Sequence, residues 1–269
     1  MTKSASKPTD SDKDHAIVAD YNGYNYRKIF WEDGKRAYED LADRMAIRKL
    51  LPDSMDDFVD IAGGYGRLAD EYLGRAKHAT IFDYSKTELA EAKEKYGDKI
   101  STKAGDIYSL PFDDDSFDGL MMVRATHHFK DMPKVVSELY RVLEPGGVAV
   151  IEVANKKTLP KMFRYWFKKS KVNPFDREPS YLEELNMYNY HPAYIEDLFK
   201  KQGFKILKPF LSLISVPAPL KTFSPPKPSL ASSALPRLYL PLFASPRLFI
   251  TSLRNQPLNL PCDSLAPVD

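Results

Sequence analysis

The segment Val59-Asp60-Ile61-Ala62-Gly63-Gly64-Tyr65-Gly66 places three glycines directly after an apolar run, and Asp83 follows twenty residues beyond Gly63. Glycine lacks a Cβ, so such a backbone turns sharply and admits a ligand closer than any other residue would. If a helix opens after the turn, its first amide N–H groups favour anionic or polar ligand groups. A carboxylate ending the next strand can accept from both hydroxyls of a ribose. Together these features predict a nucleoside-containing cofactor at the carboxyl ends of the strands. Gly64-Tyr65-Gly66-Arg67-Leu68-Ala69 also fits the dinucleotide pattern G-x-G-x-x-G/A, so an NAD(P)-dependent oxidoreductase is a competing reading. Asp60 tilts the choice, because its charge just before the turn opposes a pyrophosphate and suits an ammonium group.

A second candidate for chemistry is the pair His127 and His128 after an apolar run. Either could serve as a general base if an acceptor must lose a proton. Adjacent residues point in different directions, so one of them at most faces a pocket. Two histidines at i, i+1 cannot chelate one ion from a helix face, and no metal site is expected. No G-x-S-x-G elbow is present for a hydrolase.

These residues need a scaffold, and the hydrophobic pattern supplies one. Apolar runs at 58–62, 79–83, 100–103, 117–123 and 148–153 read as strands. Between them, 67–73, 86–96 and 133–142 read as helices, after a first amphipathic helix over 35–51 that stops at Pro52. Repeated strand and helix units predict an α/β fold with a doubly wound, parallel sheet and helices on both faces. Residues 156–171 carry seven basic residues and no acid, with Leu159, Met162, Phe163, Trp166 and Phe167 at helical spacing. They read as a basic amphipathic helix, packed with its charged face in solvent or leaning on a membrane surface or an acidic partner. Another helix is expected over 191–202, stopped by Gly203, followed by strands at 204–216 and 247–253.

The motifs Asp60 to Gly66, Asp83-Tyr84-Ser85, residues 104–112 (AGDIYSLPF), Ser116-Phe117-Asp118, His127-His128-Phe129 and residues 139–147 (LYRVLEPGG) occur in that order. As a set they resemble the class I S-adenosylmethionine-dependent methyltransferases, especially the small-molecule branch of ubiquinone and menaquinone biosynthesis. The resemblance spans roughly residues 35–205. It implies a Rossmann-like, seven-stranded, mostly parallel sheet with an antiparallel last strand, and S-adenosylmethionine as cofactor. By the same resemblance, Asp60, Gly63, Gly64 and Gly66 surround the methionine moiety and Asp83 holds the ribose hydroxyls, with Tyr84 against the adenine. Asp106 and Ile107 border the adenine ring, and Arg124 lines the sulfonium end. The aromatics Tyr21, Tyr24, Tyr26, Trp31 and Tyr38 suit a lid, with Arg36 reaching the cofactor carboxylate, although a helix packed on the sheet explains them equally. A cofactor-binding protein without catalytic activity is a further alternative.

The expected layout is a disordered leader over 1–17, one domain over 18–254 and a flexible tail over 255–269. Within the domain, 18–55 forms a helical lid, 56–155 the cofactor-binding half, 156–203 a substrate-side helical insertion, and 204–254 the terminal strands with a proline-rich connection. Of 21 prolines, 11 lie from Pro217 onward. A net charge of +2 argues against a chain built to coat nucleic acid. The expected partner is a small-molecule methyl acceptor, with peripheral membrane contact through 156–171. One cysteine, Cys262, excludes an internal disulfide. No secretory signal or membrane span is read, and a cytoplasmic setting is expected.

Overall fold

Phe58, Val59 and Ile61 are fully buried in strand β1 (Met55–Ile61), and their side chains alternate between two apolar clusters on opposite faces of one sheet. The computed structural model describes residues 27, 31, 36–183, 186–212 and 247–254. β1 pairs in parallel with β2 (Ala76–Asp83) on one side and β4 (Phe117–Met122) on the other, and β3 (Ser101–Ala104) extends the β2 edge. Beyond β4 lies β5 (Leu143–Val153), also parallel. The chain thus runs outward from β1 to β3 and returns to the other side of β1, opening the crevice in which doubly wound sheets hold ligands.

Helices cover both faces. α1 (Ala37–Leu50) ends where Pro52 forbids the residue before it a helical conformation. α2 (Lys86–Tyr96) starts at Ser85, whose Oγ accepts from Glu88 N at 3.3 Å. α3 (Met132–Val142) starts at Asp131, whose Oδ1 accepts from Lys134 N at 3.0 Å, with Pro133 in the first turn. After α4 (Leu159–Trp166), a short hairpin of β6 (Ser180–Leu182) and β7 (Met187–Asn189) follows, then α5 (Pro192–Gln202), stopped by Gly203 at φ +110°. β8 (Phe204–Ser212) and β9 (Arg247–Arg254) complete the main sheet, with β9 antiparallel to both its neighbours, β5 and β8.

Two helical expectations fail. Residues 67–73 hold only a 3₁₀ turn, Ala69–Glu71. The chain is still reversing at Gly64 and Gly66, at φ +54° and +74°, and goes on in tight turns, Glu71 N donating to the Leu68 carbonyl at 2.9 Å and Tyr72 N to the Ala69 carbonyl at 3.1 Å. Tyr72 is instead pulled beneath the sheet, its ring 4.6 Å from that of Phe58. The basic helix is likewise shorter than 156–171: Lys156 is buried with its Nζ on the Glu178 carbonyl and Ser180 Oγ, and Lys168 has φ +52° just past the C-terminus of α4. The β6–β7 hairpin has no counterpart in the expected layout. The leader, Tyr21, Tyr24, Tyr26, the connection 217–246, Cys262 and the tail 255–269 lie outside the described residues.

Candidate functional site

A cleft of about 980 Å³, counting its part open to solvent, lies at the carboxyl ends of β1, β2 and β4. Its floor is the glycine turn. A Cβ on Gly63 would come within 2.6 Å of the Asp60 carboxyl, so only glycine lets the chain pass that close. The turn is fastened by Asp83, whose Oδ2 accepts from Gly64 N at 2.9 Å and whose Oδ1 accepts from Ser85 N at 2.8 Å. Burial nonetheless raises the Asp83 pKa above the ordinary carboxylate value, against the pull of those amide bonds.

Asp60 is buried at the end of β1 and accepts from the Tyr72 hydroxyl at 3.2 Å. Loss of water pushes its pKa up to about 8, against the opposing pull of Tyr72 and Arg67. A third carboxyl, Glu88, also lines the cleft, and burial with the nearby charges of Glu91 and Asp83 lifts it to about 7. Sequence reasoning missed Glu88 as a site residue. Its signal was the capping-box spacing Ser85-x-x-Glu88, which puts the glutamate in the first turn of α2 directly behind Asp83.

Gly63, Gly64, Tyr84, Ile107, Arg124 and His128 line the cleft. Gly66 closes the turn behind it. Asp106 is not brought to the cleft wall; it is exposed, with Oδ1 accepting from Tyr108 N at 3.0 Å, and its neighbours Gly105 and Ile107 face the cleft instead. Of the two histidines only His128 lines the cleft, and burial lowers its pKa to about 4, so the imidazole is neutral at pH 7. His127 lies beside it, the rings 4.0 Å apart, outside the lining. Among the described residues no group of three His, Cys, Asp or Glu is arranged for a metal ion.

The cations at the cleft are held by α1. Arg124, at φ +60°, gives Nε to Asp43 Oδ2 at 2.6 Å, while its backbone N donates to Glu152 Oε2 at 3.0 Å. Arg67 reaches the same Asp43 oxygen at 2.8 Å. The Trp31 ring lies against both guanidinium groups, 3.9 Å from Arg67 and 4.6 Å from Arg124. Asp43 is fully buried and had no sequence signal, because the partners it joins are 24 and 81 residues away. Arg36 is not in the cleft wall; it borders a neighbouring hollow with Arg44 and Lys95 and sits 5.8 Å from the Trp31 ring.

Residues 59–151 match the family described as methyltransferase domain. A ubiquinone/menaquinone biosynthesis C-methyltransferase from Paracoccus denitrificans is 31% identical over 118 residues, covering 41% of this chain and 47% of the relative. A demethylmenaquinone methyltransferase from Desulfitobacterium hafniense is 34% identical over 125 residues, covering 43% of this chain and 49% of the relative. The chain spans about half the length of the curated relatives it matches. In fold it is similar to S-adenosylmethionine-dependent methyltransferases from Mesorhizobium loti (TM-score 0.55, 19% identical, 79% of this chain and 98% of that one) and Thermotoga maritima (TM-score 0.54, 21% identical, 81% and 90%). Among the described residues no helix is long and apolar enough to cross a membrane. Residues 59–151 thus match the methyltransferase domain family, and the sheet that carries them has the fold of the S-adenosylmethionine-dependent methyltransferases it resembles.

Proposed function

We propose that the cleft binds S-adenosylmethionine and that the chain, on a sheet of seven strands closed by β8 and β9, transfers the methyl group to a small acceptor entering beside His128. The observation that carries this reading is the donor set: Asp60, Asp83 and Glu88 turn three carboxyls to the cleft, while Arg67 and Arg124 are held on Asp43. Such a wall suits ammonium, sulfonium and hydroxyl groups better than it suits a pyrophosphate. The dinucleotide reading loses its other support as well, since the glycine turn leads into three residues of 3₁₀ helix and not into a helix whose N-terminus could receive phosphate.

In this reading Asp60 and the turn Gly63-Gly64-Tyr65-Gly66 receive the methionine end, Asp83 the ribose hydroxyls, and Tyr84 and Ile107 the adenine. Asp106 meets the adenine amine only if it turns inward from its exposed position. When bound, the cofactor supplies a methyl group made electrophilic by the positive sulfur. Displacement at that carbon depends mainly on holding the acceptor in line at about 3–3.5 Å. The cleft's apolar members, Ile107, Val123, Ala125 and Phe129, favour a lipophilic or aromatic acceptor, and the relatives' names, with methylation in ubiquinone and menaquinone biosynthesis, support the same class. His128 is neutral and able to take a proton, though a pKa of about 4 makes it a weak base. Trp31 and its two arginines exclude water from the α1 side. A cytoplasmic setting belongs to the same reading.

Calorimetric titration of the full chain with S-adenosylhomocysteine and with NADH tests it. Binding of the first and not the second is expected, and Asp83→Ala should weaken it more than about tenfold, a charge-assisted contact contributing roughly 1.5–3 kcal/mol. Tight binding of NADH alone would overturn the assignment. Labelled-methyl transfer into a metabolite extract then separates the enzyme from a non-catalytic binding protein.

A further inference from the structure

Helix α4 is built inside out. Its apolar stripe faces solvent, with Leu159 64%, Phe163 50%, Trp166 60% and, just past its end, Phe167 69% exposed. The polar side faces the protein: Lys161 Nζ donates to the Asn155 carbonyl at 2.8 Å and to Asn189 Oδ1 at 2.9 Å. Buried Lys156 ties the segment down through the Glu178 carbonyl and Ser180 Oγ. One buried and one half-buried lysine therefore anchor this helix, and its aromatics are left outside. They form a platform, Phe163 edge-on to Trp166 at 5.7 Å and Trp166 stacked on Phe175 at 6.3 Å.

Cations ring the platform. Lys157, Arg164, Lys168, Lys169 and Lys171 are all exposed, and no acid occurs between 156 and 171. Of the acids flanking the segment, Glu152 is buried in β5, Asp176 and Glu178 are exposed just after Phe175, and the Asp197 carboxylate is taken by Arg177. The arrangement belongs to a larger polarity of the chain. Residues 1–155 carry 22 basic and 29 acidic residues, whereas residues 156–269 carry 17 and 8.

We propose that the outward face of α4, with Phe167 and Phe175 and its ring of lysine and arginine, docks this chain on an anionic lipid bilayer. Aromatic and leucine side chains flanked by cations are what an interfacial helix needs to enter the headgroup region, apolar area and charge adding to each other. Charge argues against two other occupants. Residues 213–246 of this chain contain Lys221, Lys227 and Arg237 and no acid, so they offer nothing to the five exposed cations, and a second copy docked symmetrically would bring the same basic face. The segment is also tied to the cleft wall. The Tyr190 hydroxyl, one residue past β7, donates to the carbonyl of Phe129 in the cleft wall, and Tyr190 N donates to the Ala154 carbonyl at 2.9 Å. The proposal rests on the methyltransfer reading only for its use, placing the mouth of the cleft near a membrane-borne acceptor; the docking itself is read without cofactor or acceptor.

The test is sedimentation of the full chain with vesicles of phosphatidylcholine alone or with roughly 30% phosphatidylglycerol. Binding to the anionic vesicles, weakened by salt, is expected. Trp166→Ser with Phe167→Ser should reduce it at least about tenfold, and so should Lys157→Glu with Lys168→Glu and Lys169→Glu, these residues being too exposed for the fold to need them. In a Trp31→Phe background Trp166 is the remaining tryptophan of two, and bromine-labelled acyl chains should quench it. Equal binding to neutral vesicles, or binding indifferent to both sets of substitutions, would overturn the proposal. So would a Trp166 shielded from acrylamide without lipid, or self-association that the same substitutions abolish. S-adenosylhomocysteine affinity, measured alongside, should not change with them; vesicle binding by a chain that fails to bind S-adenosylhomocysteine would uphold the docking and remove only the cofactor assignment.

Discussion

Asp60 has the most to gain from a ligand. Buried with a pKa pushed up to about 8, it is largely protonated in the empty cleft at pH 7, and Glu88, near 7, is about half so. An arriving ammonium or sulfonium favours the carboxylates and must expel those protons. Binding is therefore hardest at low pH. As pH rises through the pKa values of Glu88 and Asp60 the protons are already gone, and affinity should climb by up to about tenfold per unit for each proton the ligand expels, before levelling above pH 8. Calorimetry in two buffers of different ionisation enthalpy should register proton release on binding at pH 7. Affinity that stays flat from pH 6 to 9 would mean that neither carboxyl meets a positive group. The same burial acts on the empty protein in the other direction. A raised folded-state pKa gives stability that is present in acid and lost as pH rises from the unfolded carboxylate value toward 8, so ligand should stabilise the fold more at pH 8 than at pH 6.

At the scale of elements, α1 acts as a brace for the cleft. Asp43 lies one turn from Asp40 and joins Arg67, after the glycine turn, to Arg124, after β4. Asp43→Ala would leave two guanidinium groups without their buried partner, and a loss of about 3 kcal/mol in urea unfolding is expected, with weaker S-adenosylhomocysteine binding as the turn loosens. Full stability in that variant would show that the remaining contacts, Trp31 and the Arg67–Asp40 ion pair among them, hold the arginines without Asp43. This brace also marks how far the sequence could be read. β1, β2, β4 and β5 were visible because parallel strands buried on both faces are continuous apolar runs, and α2, α3 and α5 because Ser85, Asp131 and Gly203 mark their ends. Asp60, the glycines and Asp83 were visible because their chemistry depends on local spacing. Asp43 and Glu88 were not, since their roles come from burial and from contacts across the fold. The helix expected over 67–73 failed for a related reason: its apolar residues are needed beneath the sheet, where Tyr72 meets both Phe58 and Asp60.

At the scale of the molecule, the sheet depends on its last described strand. β9 lies between β5 and β8 and hydrogen-bonds to both, and Arg254 fastens its end to the Tyr140 carbonyl at 3.1 Å with its guanidinium 4.4 Å from the Tyr140 ring. A chain ending at residue 246 would leave the edge of β5 unpaired and β8 without a neighbour. It should be recovered mostly as aggregate, with the soluble remainder melting at lower temperature than the full chain. Equal yield and melting temperature would show that β5 can end the sheet alone.

The position of β9 also gives the molecule a history in time. Ile151 pairs with Ile250, about a hundred residues later, so the five parallel strands are made while the slot beside β5 stays empty. A ribosome adding roughly 5–20 residues per second leaves that edge open for several seconds. The cleft, formed by β1, β2 and β4, is complete in sequence well before then. A nascent chain could thus meet a ligand of the cleft before its sheet is closed, and ligand present during synthesis would stabilise the half that must wait.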